Sequence, residues 1–181
     1  MVRVDPVVDV TIRIGLGLLL GAAATHKVRD LAAFRATLAD YRLLPSWLTP
    51  FASRALVAIE GATAVALLVP GLGRAGSAAA ALLLATYAAA VAINLLRGRR
   101  HIDCGCFGPA ARRPIHGGLV ARNLLLVAGA LVGLGPLAAR PFLWLDAVTV
   151  SGALGTLVAL HLALDQMMAE APRLRLLRGD A

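Results

Sequence analysis

Charge is scarce in this chain. Of its 181 residues 15% are charged against 59% hydrophobic, and the mean hydropathy is +0.79. A soluble domain of this length would carry roughly 25% charge, so the composition excludes an ordinary soluble enzyme and points to a membrane protein in contact with the lipid bilayer. Cysteine is scarcer still, at two residues, and there are four histidines. The chain has no convincing internal repeat and no low-complexity tail, only the short basic end "PRLRLLRGDA". It also has no basic soluble stretch able to hold a duplex, so the net charge of +8 reads as juxtamembrane charge and not as a nucleic-acid surface. Asp5, Asp9 and Arg13 interrupt the start, whereas a cleaved signal has a basic start followed by an unbroken apolar core. The start is therefore expected to be a retained span.

What is present is a series of apolar runs. Val7–Thr25, Phe51–Val69, Ala75–Leu96, Leu119–Leu137 and Phe142–Met168 are each long enough to cross about 30 Å of hydrocarbon at 1.5 Å per residue. Lipid offers no partner to an open backbone, so each is expected to be helical. The fold class is then an all-α membrane protein: one integral domain over 1–181, with a bundle of four to five transmembrane helices. Between the first two runs, Leu31, Phe34, Leu38 and Tyr41 recur at helical spacing among Arg35, Asp40 and Arg42. This predicts a short interfacial amphipathic helix, with Asp30 as cap, Pro45 as end, and Tyr41 and Trp47 as headgroup anchors. Gly17/Gly21 and Gly129/Gly133 form GxxxG pairs that suit close helix contact.

Arginine and lysine are distributed unevenly. Lys27, Arg29, Arg35 and Arg42, then Arg97, Arg99, Arg100, Arg112 and Arg113, then Arg173, Arg175 and Arg178 fall on one side of a five-span topology; Arg3, Arg74 and Arg140 fall on the other. The positive-inside rule places the C-terminus, and the loop after the third run, in the cytoplasm.

That loop, "GRRHIDCGCFGPAARRPIHGG", holds both cysteines, Cys104 and Cys106. Two cysteines one residue apart can close a very small ring, with Gly105 supplying the backbone freedom. Such a ring is easily reduced and is a poor staple, because cross-linking gains grow with loop length. Arg99, Arg100, Arg112, Arg113, His101 and His116 make the loop electropositive, which favours thiolate; Asp103 opposes this locally. Redox activity competes with zinc binding by His101, Cys104, Cys106 and His116, whose spacing departs from usual zinc motifs, and with two plain thiols in a solvated loop. No metal site is expected.

Ionisable groups also fall inside the runs. Glu60, Arg13, and the His161/Asp165 pair at i, i+4 are costly in hydrocarbon and are expected to face partners inside the bundle. Glu60 reads either as lining a polar pocket for a quinone headgroup or a proton path, or as pairing with Arg13. Arg54 and Arg122 read as snorkelling. Lys27 and His26 read as interfacial anchors, with a role for Lys27 beside the cysteines as the second reading. Asn123 is placed to hydrogen-bond across helices.

In order, "HKVRDLAAFRATLADYRLLP", Glu60 in "LVAIEGATAVALLVPG", "RGRRHIDCGCFG" and "ARNLLLVAGALVGL" resemble the methylamine utilisation protein MauE family, which is akin to DoxX-like membrane proteins. The likeness covers about residues 10–137. Its most specific piece is "DCGCFG", Asp103, Cys104, Gly105, Cys106, Phe107 and Gly108, supported by Lys27, Tyr41–Pro45 and Glu60. The resemblance implies a multi-pass protein of the bacterial cytoplasmic (inner) membrane. It implies thiol–disulfide chemistry carried by Cys104 and Cys106, a thioredoxin-like partner in the periplasm, and maturation of the disulfide-rich small subunit of methylamine dehydrogenase. A membrane quinone as redox partner near Glu60 is an expectation by analogy. The alternatives to a membrane thiol–disulfide oxidoreductase are a non-enzymatic scaffold or chaperone for the partner, and a small-molecule transporter. The periplasmic partner and the cytoplasmic placement of the loop are conflicting expectations.

Overall fold

A computed structural model describes residues 3–104 and 114–178; beyond Leu160, the side chains described are those of Leu162, Ala163 and Gln166. The described residues form six helices and no strands: α1 Pro6–Arg29, α2 Leu31–Asp40, α3 Thr49–Leu68, α4 Gly73–Leu96, α5 Gly117–Val132 and α6 Trp144–Arg178. The all-α architecture expected from the apolar runs is the one found. By length and composition α1, α3 and α4 can cross a membrane. α5 is shorter than the expected run, because Gly133 caps it and "GLGP" turns the chain, with Leu134 and Gly135 donating to Leu131 and Val132. Its 16 residues span about 24 Å. The stretch Trp144–Leu160 of α6 is apolar.

Asp5 starts α1 by accepting from the Val7 amide, ahead of Pro6 at a first-turn position where its missing N–H costs nothing. Asp30 starts α2 as expected, accepting from Ala33. α2 ends at Asp40, well before Pro45, and Arg42 takes a positive φ of 47°. Trp47 is exposed, but Tyr41 is 7% exposed and packs into the protein, so it is no headgroup anchor.

α1, α3, α4 and α5 pack in sequence, each antiparallel to the last, and α6 lies against α1. Lipid tails are as apolar as leucine, so helix association in a membrane rests on close van der Waals contact. The core shows this: Ala64, Ala80 and Ala130 are buried beside Leu16, Leu20, Leu67, Leu83 and Leu84. The Gly17/Gly21 pair lies against Ala64 and Leu68 of α3. Of the second pair only Gly133 is packed, against Ser77; a side chain at Gly129 would meet nothing. At Gly76 the α3 backbone comes so close that a Cβ would stand 2.7 Å from the Leu67 amide nitrogen.

The two ends of the bundle are built differently. At one end Val4 pairs with the turn after α5, donating to Pro136 and accepting from Ala138. Arg140 there grips Asp5 and Asp146 together, with the shortest bonds to each at 2.8 Å. Arg13 also works at this end. It donates to the Leu67 and Val69 carbonyls that close α3 and reaches Asp9 at 3.5 Å. A cation at a helix C-terminus satisfies carbonyls and opposes the dipole. The expected Arg13–Glu60 pair is therefore absent among the described contacts.

Two predictions follow from this packing. Gly76→Ala should cost about 1–3 kcal/mol by overpacking, lowering the thermal midpoint in detergent, whereas Gly129→Ala should be neutral or slightly stabilising. Hydrogen bonds from Arg140, then from the Val7 amide, hold the Asp5 carboxyl below the usual carboxylate range. A depressed folded-state pKa contributes stability that is fully present above the ordinary aspartate value of about 3.9 and is lost as pH falls through the lower folded value. The midpoint difference between wild type and Arg140→Ala should thus be constant above about pH 5 and shrink below that aspartate value.

Candidate functional site

The cysteine loop lies at the other end. α4 closes with Gly98 at a φ of 73°, the left-handed conformation that favours glycine, and Arg97, Gly98 and Arg99 donate to Ile93, Leu95 and Asn94. The chain then runs to Ile102, whose carbonyl accepts from the Ile115 amide at 2.9 Å, and Asp103 faces Pro114 in an antiparallel bridge. The two ends of the loop are thus fastened together just before Cys104. Gly105, Cys106, Phe107 and Gly108 lie outside the described residues, and so does the geometry of the cysteine pair.

Cys104 is half-buried. It packs against a cluster built by Tyr41 from the end of α2, Val91 of α4, and Ile115 and Leu119 at the start of α5, fully assembled only by the folded chain. Asp103 is half-buried as well; Arg100 and His101 are exposed, and Arg99 reaches the Asp40 carbonyl at 3.5 Å. Basic residues therefore precede in the chain a half-buried thiol that packs on an apolar floor. Among the described residues no group of three or more metal-ligating side chains forms.

Lys27 and Glu60 meet inside the bundle, which corrects the reading of Lys27 as an interfacial anchor. Lys27 is 6% and Glu60 1% exposed, and the ammonium donates to both carboxylate oxygens at 2.8 and 2.7 Å. The Tyr87 hydroxyl donates to Glu60 Oε1 at 3.3 Å. The rings of Phe34 and Tyr87 stand 5.0 and 4.9 Å from Lys27 Nζ, within cation–π range. Four helices supply one residue each: Lys27 from α1, Phe34 from α2, Glu60 from α3 and Tyr87 from α4. Both Glu60 oxygens accept from Lys27, and Oε1 accepts from Tyr87 as well. Sequence reasoning passed over Tyr87; the available signal was one hydroxyl-bearing ring within the apolar "LLLATYAAAV".

Pair and cysteine are linked by two helix faces. Tyr87, Val91 and Asn94 follow at i, i+4 and i+7 on α4, so the ion pair lies about one turn deeper than the floor beneath Cys104. Phe34 and Tyr41 share a face of the α2 segment in the same way, one at the ion pair and one at the floor. Asn123 is buried, Arg54 is exposed near the start of α3, and Arg122 has its Nε and Nη1 buried, so Arg122 does not snorkel. The side chains of His161 and Asp165 lie outside those described.

Breaking a buried ion pair leaves one charge uncompensated in a medium that solvates it poorly. Lys27→Met and Glu60→Gln should each destabilise the detergent-solubilised protein by about 3–5 kcal/mol. The double variant should recover part of that loss, and a thermal-melt double-mutant cycle measures the coupling.

The family profile described as methylamine utilisation protein MauE matches residues 5–136. A methylamine utilization protein MauE of Paracoccus denitrificans is 43% identical over 128 residues, covering 71% of this chain and 69% of the relative. That of Methylophilus methylotrophus is 35% identical over 167 residues, covering 92% and 86%. That of Methylorubrum extorquens is 39% identical over 143 residues, covering 76% of each. No solved structure matches the chain. With the membrane-length helices, the cysteine loop and Lys27 and Glu60 all inside the matched segment, the chain belongs to the methylamine utilisation protein MauE family.

Proposed function

We propose that this protein serves methylamine utilisation as a thiol–disulfide component of the bacterial inner membrane. In this reading it sets the disulfides of a partner through Cys104 and Cys106. The single observation that carries the proposal is the seat of Cys104: a half-buried thiol beside a fastened loop neck, on an apolar floor. The family supplies the context, and the resemblance to it makes a thioredoxin-like protein the immediate partner and the methylamine dehydrogenase small subunit the final client.

One exchange balances in electrons, and a second two-electron thiol–disulfide couple must restore the pair before it acts again. A thiolate of the pair attacks one sulfur of the partner's disulfide and expels the other as thiolate, giving a mixed disulfide. The second cysteine then attacks its neighbour's sulfur. The partner leaves as a dithiol, and this chain keeps the disulfide. Run in reverse, the same steps oxidise the partner, two electrons passing each way. In this reading the apolar cluster holds Cys104 in place while leaving it partly exposed to a partner.

Replacing either cysteine with serine should abolish exchange, and the variant that keeps the attacking thiol should trap a mixed disulfide, detectable as a reductant-sensitive adduct. Full client maturation by the Cys104→Ser/Cys106→Ser double variant would overturn the proposal in favour of a scaffold. Side is read in the same cells with an impermeant maleimide. The arginine distribution predicts protection of both thiols; rapid labelling would place the loop with a periplasmic partner.

A further inference from the structure

No residue within α2 is fully buried, yet the helix joins two sites that are. The half-buried Phe34 ring stands 5.0 Å from the Nζ of buried Lys27, and directly after the helix Tyr41 is buried in the cluster on which Cys104 packs. We infer that Lys27 and Phe34 are positioning residues for Cys104: they anchor α2 as a strut whose far end holds Tyr41, and through it one wall of the thiol's seat. This role takes the thiol–disulfide exchange proposed for Cys104 and Cys106 as its premise.

The ammonium of Lys27 explains why an aromatic ring stands there. Its three N–H groups are taken by Glu60 Oε1, Glu60 Oε2 and Tyr87 Oη, at 2.8, 2.7 and 3.4 Å. Those partners belong to α3 and α4. Towards α2 the ammonium has no N–H left to donate and meets the Phe34 ring, whose negative face attracts a cation. An aliphatic side chain would fill the same space without that attraction. Lys27 thus ties α2 to the bundle, and Asp30 caps the helix at the same corner by accepting from Ala33.

The far end of the strut shows independently that it is held. Tyr41 keeps helical dihedrals, φ −64° and ψ −23°, so it shares one face of the α2 segment with Phe34, about two turns away. Arg42 follows at a φ of 47°. An arginine in this left-handed region is strained, and it persists where the surroundings fix it. Tyr41 and Arg42 donate back to the Thr37 and Ala39 carbonyls, which closes the helix at this point. Arg99, on the segment that leads to Cys104, reaches the Asp40 carbonyl at 3.5 Å. The end of the strut is therefore tied both to the floor of the seat and to the chain that enters it.

The test uses the full chain in phosphatidylcholine nanodiscs. Cys104 is labelled with a bulky maleimide in a Cys106→Ser background, and the intact pair is assayed for exchange with oxidised thioredoxin. Phe34→Leu removes the ring and keeps apolar bulk. It should speed labelling of Cys104 by about twofold to fivefold, as loss of a partly buried cation–π contact implies, and it should slow exchange. Tyr41→Leu, at the other end of the strut, should do the same. Phe34→Tyr keeps the ring and should retain both wild-type rates; a merely space-filling role would let leucine retain them too. Gly76→Ala loosens the opposite end of the bundle and should leave labelling unchanged below its thermal midpoint. Labelling that Phe34→Leu does not alter overturns the inference, and so does an equal rise in Gly76→Ala. Wild-type exchange that Phe34→Leu leaves at its full rate overturns it as well. A wild type that performs no exchange, while labelling still separates Phe34→Leu from Phe34→Tyr, supports the strut and overturns the exchange role alone.

Discussion

The bundle is organised around the buried pairing of Lys27 with Glu60. A lone ammonium or carboxylate cannot stay charged within the apolar interior without a partner, so α1 and α3 must meet at this depth and in this register. The Tyr87 hydroxyl brings α4 to the same point, and the Phe34 ring brings α2. Such a pair adds little to stability over well-packed apolar residues of the same volume. It does penalise every alternative register by leaving charges unpaired. It can therefore define which helices are neighbours in a bundle whose other contacts, mostly alanine, leucine and glycine, discriminate weakly.

The pair's location gives this constraint a functional direction. It lies about one helical turn below the apolar floor on which Cys104 rests, along the Tyr87–Val91–Asn94 face of α4. The α2 segment spans the same interval with Phe34 and Tyr41. None of the residues within α2 itself is fully buried, so its position depends on these two aromatic contacts and on the helices beside it. Four helices converging beneath the loop hold the neck of the cysteine segment in place, as an exchange reaction needs if one sulfur is to meet a partner in a defined direction. At the opposite end the fastening is polar and peripheral. Arg140 joins the start of α1 to the start of α6, and Arg13 closes α3.

Much of this was legible beforehand. The apolar runs located α1, α3 and α4 to within a few residues, because lipid compatibility demands long uninterrupted apolar helices. The amphipathic spacing of Leu31, Phe34 and Leu38 located α2. The glycine pair at Gly17 and Gly21 marked a real contact surface. Glu60 reads from the sequence as a costly charge with Arg13 as its partner, and Lys27 as an interfacial anchor. In an antiparallel pair the register runs the other way: Arg13 lies level with the end of α3, and Lys27 reaches back to its middle. Tyr41 was read as a headgroup anchor because a tyrosine at the edge of an amphipathic helix usually is one. Its burial depends on Val91, Ile115 and Leu119, which lie far along the chain.

The sequence by itself determined the helical class, the family, the position of the cysteine loop between two apolar runs, and Glu60 as a charge in need of a partner. These follow from local composition and spacing, which the energetics of lipid and of thiols constrain directly. Only the tertiary structure decided what meets what: Lys27 with Glu60 and Tyr87, and Cys104 with the cluster built by Tyr41, Val91, Ile115 and Leu119. Those pairings depend on helix order, direction and register. A difference of one helical turn between packed helices exchanges one partner for another while leaving each helix's own pattern unchanged.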